Sequence, residues 1–289
     1  MKITLKAYAK INLMLDILSR LENGYHDLYM IMQSVSLYDT ITVEKTDTKD
    51  ITITCDVPSI PTDEKNIAYK AAKAFFDYAK IENTGVSIDI KKSIPHAAGL
   101  AGGSTDGAAV IVALSELFSL KLKEKDIIAI GSKVGADVPF CALGGTMLAQ
   151  YTGTVLSHLP DLKLPYIMIV KPSQDVSTAE AYAAFDSAER VRHLDKNAML
   201  QAVLNGDNDK VYEKIGNVFE QFIDVTERVL IKDIMRKHGA KAACMSGSGP
   251  SVFGIFEDKD KAEMCLDELK KSYSQSYLCS ATDCGCEEI

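Results

Sequence analysis

Apolar positions recur at two spacings along this chain, and the switches between them outline its organisation. The N-terminal part alternates: Ile3 to Ala9 and Ile11 to Ile17 read as strands flanking a short break at Lys10. Tyr29 to Val43 and Ile51 to Cys55 add further β-branched or period-two runs, and Asn23-Gly24 within LENGYHD marks a tight turn. From Asn66 the spacing becomes helical through NIAYKAAKAFFDYAK, and Val86 to Ile90 returns to alternation. The run GAAVIVALSEL predicts a buried helix, with Ser104, Thr105 and Asp106 as candidate N-caps. A second helix over Lys123 to Val134 stops at Gly135. Gly144 to Tyr151 and Tyr166 to Val170 read as strands, 172–239 as mainly helical, CMSGSGPSVFGIFED as strand, turn and strand, and Lys261 to Tyr273 as a last helix. The change in character near residue 155 predicts two domains, 1–155 and 156–289.

Composition narrows the class. Of 289 residues, 47% are hydrophobic and 25% charged, as in a globular chain long enough for a large core. The net charge of -8, with no basic tail or stripe, argues against a nucleic-acid partner. MKITLKAYAKINLMLDI lacks the continuous apolar stretch and cleavage site of a signal peptide. No run approaches the roughly 18 apolar residues of a membrane span. The seven cysteines lie mostly in apolar segments and read as free thiols, so the expected location is the cytoplasm. Cys279, Cys284 and Cys286 match no structural zinc spacing and read as part of a frayed terminus.

The distinctive chemistry lies in SIPHAAGLAGGSTDGAA, where a strand end meets a glycine-rich loop and then a helix. Small residues leave the backbone bare, so an anion can approach the amides, and a following helix adds unpaired N–H donors. Ser104 or Thr105 could bond a phosphate oxygen or reach a magnesium ion. The loop is neither a Walker A motif nor a dinucleotide fingerprint, since Gly-Lys-Ser/Thr and GxGxxG are both missing. Taken alone, it reads equally well as a turn feeding a tightly packed helix. Ser246-Gly247-Ser248-Gly249-Pro250 is a second small-residue turn. Asp137, in GADVPF, reads either as a local backbone cap or as a functional carboxylate. Lys10 and Asn12 fall on one strand face by alternation, where a lysine is ordinarily solvated.

Taken in order, AYAKINLMLDI, NGYH, PHAAGLAGGSTDGAA, GADVPF and SGSGPSVF resemble the superfamily of galactokinase, homoserine kinase, mevalonate kinase and phosphomevalonate kinase. AYAKINL and NGYH narrow the resemblance to its 4-diphosphocytidyl-2-C-methyl-D-erythritol kinase family, which acts in the non-mevalonate isoprenoid pathway. The resemblance implies an α+β, two-domain small-molecule kinase. Its N-terminal, ATP-binding domain would resemble the second domain of ribosomal protein S5 and its C-terminal domain an α/β plait, with the active site in the cleft between them. It implies ATP and Mg2+ as cofactors and Lys10 and Asp137 as the catalytic pair. It implies ATP or phosphate binding by Asn66, on the adenine side, and by Pro95, His96, Ala97, Ala98, Gly99, Leu100, Ala101, Gly102, Gly103, Ser104 and Thr105. Substrate binding falls to Asn12, Tyr25, His26, Thr178 and Tyr182, with Tyr25 and His26 on the cytosine. Family members often carry glycine at Ala101 and asparagine at Asp106. Alanine is expected to fit with negative φ, and Asp106 to cap the helix or face magnesium. Other kinases of the superfamily, acting on homoserine or mevalonate, have no base for Tyr25 and His26 to recognise. A non-catalytic nucleotide-binding protein would have lost Lys10, Asp137 or the loop. Monomer and homodimer both remain open.

Overall fold

The computed structural model describes residues 1–82 and 85–289. Strands β1 (Lys2–Arg20) and β2 (His26–Lys45) form a long antiparallel hairpin. There follow β3 (Ile51–Cys55), helix α1 (Ile67–Ala79), β4 (Val86–Lys91), α2 (Gly102–Leu117), α3 (Glu124–Gly131) and α4 (Val138–Leu143). Next come β5 (Thr146–Tyr151), β6 (Val155–His158), β7 (Tyr166–Val170), α5 (Thr178–Asp186), α6 (Lys196–Leu204), α7 (Asn208–Lys214) and β8 (Gly216–Asn217). The chain ends with α8 (Thr226–Lys237), β9 (Ala242–Met245), β10 (Val252–Phe256), α9 (Lys259–Lys270), β11 (Ser276–Cys279) and β12 (Cys286–Glu288).

Two sheets result. The first runs β12-β1-β2-β4-β3, with β5 also on β2, β6 on β5 and β8 on β1; the second runs β11-β7-β10-β9. Period-two alternation makes the layers. Ile167 and Ile169 of β7, with Phe253 and Ile255 of β10, face the first sheet. Their neighbours Met168, Val170, Val252 and Phe256 face α8 and α9 through Ile231, Met235, Cys265 and Leu269. On the far side of the first sheet, α1 and α2 pack Ala68, Phe75, Ala109 and Val110 against Leu5, Ile41, Val43 and Ile88. The mixed α+β class expected from the sequence is the class observed.

The break expected at Lys10 is absent: β1 runs through it, with register shifts at Tyr8/Ala9 and Asn12/Met14. Their effect is visible in the core. Ile3, Leu5 and Ala7 face the helices, but Ala9, Ile11 and Leu13 face the second sheet, and Leu15 and Ile17 return to the helix side. The first bulge therefore turns Lys10 and Asn12 away from the second sheet, a re-aiming that bulges commonly provide beside functional sites. The expected frayed terminus is also corrected. β12 pairs with β1 from Leu5↔Glu288 to Ala7↔Cys286, and Cys286 packs against the core.

Candidate active site

One cleft, of about 880 Å³, brings together segments from both halves of the sequence. Its floor is the glycine loop between β4 and α2. Asp39, buried on β2, accepts hydrogen bonds from the backbone N–H groups of Ser93 (2.6 Å) and Ile94 (2.8 Å) and fixes where the loop leaves the sheet. Ala97, Gly99 and Ala101 have φ of 50°, 74° and 59°, so left-handed residues alternate with ordinary ones. Backbone of this kind turns amide groups into a concave anion nest. Gly99 is also pressed against the second small-residue turn: a Cβ there would lie 2.2 Å from the Ser246 carbonyl oxygen. Ser246 Oγ donates to the Gly99 carbonyl at 3.0 Å, and the Ser251 N–H to the Ala98 carbonyl at 3.3 Å. The two glycine-rich turns are thus one structure.

Several local expectations change. Helix α2 starts at Gly102, with Ala101 at its N-cap, so Ser104, Thr105 and Asp106 lie inside the first turns and do not cap it. Ala101 takes positive φ, a conformation costing an L-residue about 1–2 kcal/mol, instead of the negative φ expected. Asp106 neither caps nor faces the phosphate side. It is buried, and its Oδ2 accepts from Lys92 Nζ at 2.8 Å, the same ammonium that bonds Asp39. Burial alone would lower the Lys92 pKa, but Asp106 and Asp39 together raise it.

The bulge in β1 delivers Lys10 to the cleft, where its Nζ lies 3.6 Å from Asp137 Oδ2 and 2.8 Å from Asn12 Oδ1. The lysine side chain is 5% exposed and that of Asp137 32%. Asp137 occupies the N-cap position of α4 but makes no side-chain cap bond, so its carboxylate remains directed at Lys10. Asn12 Oδ1 also accepts from the Gly247 N–H at 3.0 Å, and Asn217 Nδ2 donates to the Gly247 and Met245 carbonyls at 2.7 and 2.8 Å. A hydrogen-bonded path therefore ties Lys10 to the second turn.

The other end of the cleft is aromatic. Tyr25, 66% exposed, stands at the hairpin turn, and buried His26 stacks on Tyr182 at 4.6 Å and 25°. Tyr182 meets the Phe219 ring edge-on at 5.1 Å. Burial, with a contribution from Asp137, pushes the Tyr182 hydroxyl up to about 12, so it stays protonated at neutral pH. Thr178 Oγ1 lies 3.0 Å from Ser248 Oγ at the edge of the cleft.

Of the residues expected from the sequence, Lys10, Asp137, Tyr25, His26, Thr178 and Tyr182 border this cleft, as do Pro95, His96, Ala97, Ala98, Gly99, Ala101, Gly102, Gly103 and Ser104. Four do not. Leu100 is core. Asn12 acts on Lys10 from behind. The Thr105 hydroxyl donates to the Tyr8 carbonyl at 2.8 Å, and Asn66 caps α1 through the Ala68 N–H while its amide donates to Pro61 O. Lys92, which borders the cleft, and Asp39 and Asn217, which brace its two turns, are residues that sequence reasoning passed over. Only Lys92, immediately before the loop, had a signal in its position.

Comparison with known proteins assigns the chain to a family. The model of the GHMP kinases N terminal domain matches residues 66–145, and that of the GHMP kinases C terminal matches 199–275. The 4-diphosphocytidyl-2-C-methyl-D-erythritol kinase of Clostridium beijerinckii is 43% identical over 95% of this chain and 98% of its own. That of Clostridium acetobutylicum is 42% identical over 94% and 98%. A crystal structure of 4-(cytidine 5'-diphospho)-2C-methyl-D-erythritol kinase superposes with a TM-score of 0.79 at 30% identity, covering 97% of this chain and 99% of that one. A homoserine kinase from Cytophaga hutchinsonii reaches 0.80 at 20% identity over 100% and 97%, a likeness of fold. The chain belongs to the GHMP kinases and, within them, to the 4-diphosphocytidyl-2-C-methyl-D-erythritol kinase family.

Proposed function

We propose that the chain transfers the terminal phosphoryl group of ATP to the 2-hydroxyl of 4-diphosphocytidyl-2-C-methyl-D-erythritol, giving the 2-phosphate and ADP in non-mevalonate isoprenoid biosynthesis. The observation that carries this reading is that one cleft is bordered by all three parts: the glycine loop, the Lys10–Asp137 pair and the Tyr25/His26/Tyr182 group. Phosphoryl transfer mainly needs positioning and charge neutralisation. The amides of the 97–103 nest hold the β- and γ-phosphates. The acceptor hydroxyl, lodged beside Lys10 and Asp137, attacks the γ-phosphorus; that bond forms as the one to the bridging oxygen of ADP breaks. A carboxylate is a feeble base toward an alcohol, so Asp137 orients the hydroxyl first and takes its proton late. Lys10, held by Asn12, stabilises the negative charge that develops on the attacking oxygen.

Magnesium fits the site as a companion of the phosphates. Among the described residues no group of three or more His, Cys, Asp or Glu converges as ligands. The Thr105 hydroxyl is committed to Tyr8, which leaves Ser104 as the side chain that would hold the ion beside the phosphates. Bound there, it would neutralise phosphate charge. The exposed Tyr25 ring offers a stacking face for cytosine, and His26 offers ring and backbone groups for its edge.

We keep 1–155 as the ATP-binding domain and 156–289 as the domain supplying the opposite wall, through Val176 to Thr178, Tyr182, Phe219 and the 247–249 turn. We place the reaction in the cytoplasm, where the free thiols stay reduced. Among the described residues no helix is long and apolar enough to cross a membrane. Thermal protection by CDP tests the base-recognition end: CDP should raise the melting temperature, and no shift at millimolar CDP would discard that assignment.

A further inference from the structure

The aromatic end of the cleft has a carboxylate that phosphoryl transfer does not use. Asp186, the last residue of α5, places Oδ1 2.7 Å from His26 Nε2 and Oδ2 3.3 Å from Arg20 Nη1. Arg20 and His26 are register partners at the closed end of the β1–β2 hairpin. A single side chain therefore fastens both strands of the hairpin to the helix that carries Tyr182. The His26 ring is confined on two further sides, stacked on Tyr182 at 4.6 Å and met edge-on by Phe185 at 6.0 Å.

This confinement has a chemical consequence. An ionised carboxylate only accepts hydrogen bonds, so the Nε2 facing it must carry the proton. In a neutral imidazole the other nitrogen is then a bare acceptor, set by the bond its partner makes. His26 borders the cleft, and among the described residues its Nδ1 makes no hydrogen bond. An acceptor held at that place can receive the amino group of cytosine. The carbonyl at the same position of uracil would set lone pair against lone pair. A site built to bond one of two such groups rejects the other strongly, because both partners are left unpaired.

We infer that Asp186 is a positioning residue that fixes His26 as the Nε2–H tautomer, so that the pocket selects an amino-bearing pyrimidine over a carbonyl-bearing one. The inference rests on the cytidylyl-substrate reading above.

The test is steady-state kinetics on the full chain with ATP, the cytidylyl substrate and its uridylyl analogue, for wild type, Asp186→Ala and Asp186→Asn. Wild type comes first: if it fails to turn over the cytidylyl substrate, the substrate reading falls before Asp186 is at issue. With that activity present, Asp186→Ala should raise KM for the cytidylyl substrate by about tenfold or more and shrink the preference over the uridylyl analogue by a similar factor. The KM for ATP should not move. Asp186→Asn, whose amide oxygen can still accept from Nε2–H, should keep most of the preference. Equal losses for both nucleotides in Asp186→Ala, with the preference intact, would overturn the assignment and leave Asp186 as a strap alone. Nitrogen-15 spectra of the wild-type His26 ring test the tautomer directly, without any variant. A protonated Nε2 with bare Nδ1 supports the inference, and the opposite tautomer overturns it.

Discussion

Replacing Asp106 by asparagine should stabilise the protein at neutral and alkaline pH and do little at acid pH. Asp39 and Asp106 are both buried and share one ammonium, that of Lys92, so the cluster keeps one negative charge unmatched. Asp106 Oδ1 has no hydrogen-bond partner among the described residues. Burial raises the Asp106 pKa, and Asp39 raises it further, against the opposing pull of Lys92. In the unfolded chain this carboxyl ionises near the ordinary value of about 3.9, whereas folded it holds its proton to higher pH. The wild type therefore loses stability as pH climbs from the ordinary value to the raised one, and the loss is complete above it. Two unit charges about 4 Å apart at an effective dielectric of ~20 repel by about 4 kcal/mol. With Lys92 offsetting a large share, about 1–3 kcal/mol should remain at pH 8. Asparagine keeps an oxygen for Lys92, presents an N–H to Asp39 and removes the extra charge. Urea unfolding of both proteins at pH 4 and pH 8 measures the difference. The variant should be ahead by about 1–3 kcal/mol at pH 8 and level with wild type at pH 4. Gaps of equal size at both pH values, or a less stable variant at both, would refute the account of an unmatched buried charge on Asp106. As a control, Lys92→Met strands both carboxylates and should cost about 3–5 kcal/mol.

Three further outcomes follow from the same geometry. Asp137→Ala should lower kcat by about 10²-fold or more while leaving ATP affinity in equilibrium titration largely intact, because its carboxylate faces Lys10 and caps nothing. Gly99→Ala must hold a left-handed φ, at about 1–2 kcal/mol, and would place its Cβ 2.2 Å from the Ser246 carbonyl oxygen, forcing the two turns apart; a lowered melting temperature and a raised KM for ATP should appear together. Tyr25→Ala should raise KM for the cytidylyl substrate with little change in melting temperature, since the ring is mostly exposed. A stability loss alone would make that ring a cover for the neighbouring strand.

How much of this was legible in the sequence differs from part to part. Strands such as Tyr166–Val170 announce themselves because both faces are buried and nearly every position is apolar. The β1 bulges had no such signal. Alternation keeps its parity along the sequence while the backbone changes faces between Tyr8 and Ala9, so Lys10 looked like a break in the strand instead of a residue turned toward the cleft. The glycine loop was evident from composition, but its left-handed alanines were not. The loop that carries them is pinned by tertiary contacts, with Ser246 and Ser251 bonding the carbonyls of Gly99 and Ala98 and the Lys10 N–H bonding that of Leu100. The same limit applies to Asp106 and Asp186. Each is explained by a partner far away in the chain, Asp39 with Lys92 in one case and Arg20 with His26 in the other. Residue type and spacing fix local structure, but they do not say which distant side chain completes a charge. The C-terminal cysteines make the same point, since Cys286 is ordered by pairing with Ala7 across almost the whole length of the chain.

The most direct measurement is coupled ADP release from the purified chain with ATP and magnesium, offered 4-diphosphocytidyl-2-C-methyl-D-erythritol, homoserine and mevalonate in parallel. Turnover confined to the cytidylyl substrate is the predicted result. Turnover with homoserine or mevalonate alone would leave the glycine loop and the Lys10–Asp137 pair standing and contradict the base-recognising pocket. Silence with all three acceptors, from folded protein, would contradict the kinase itself.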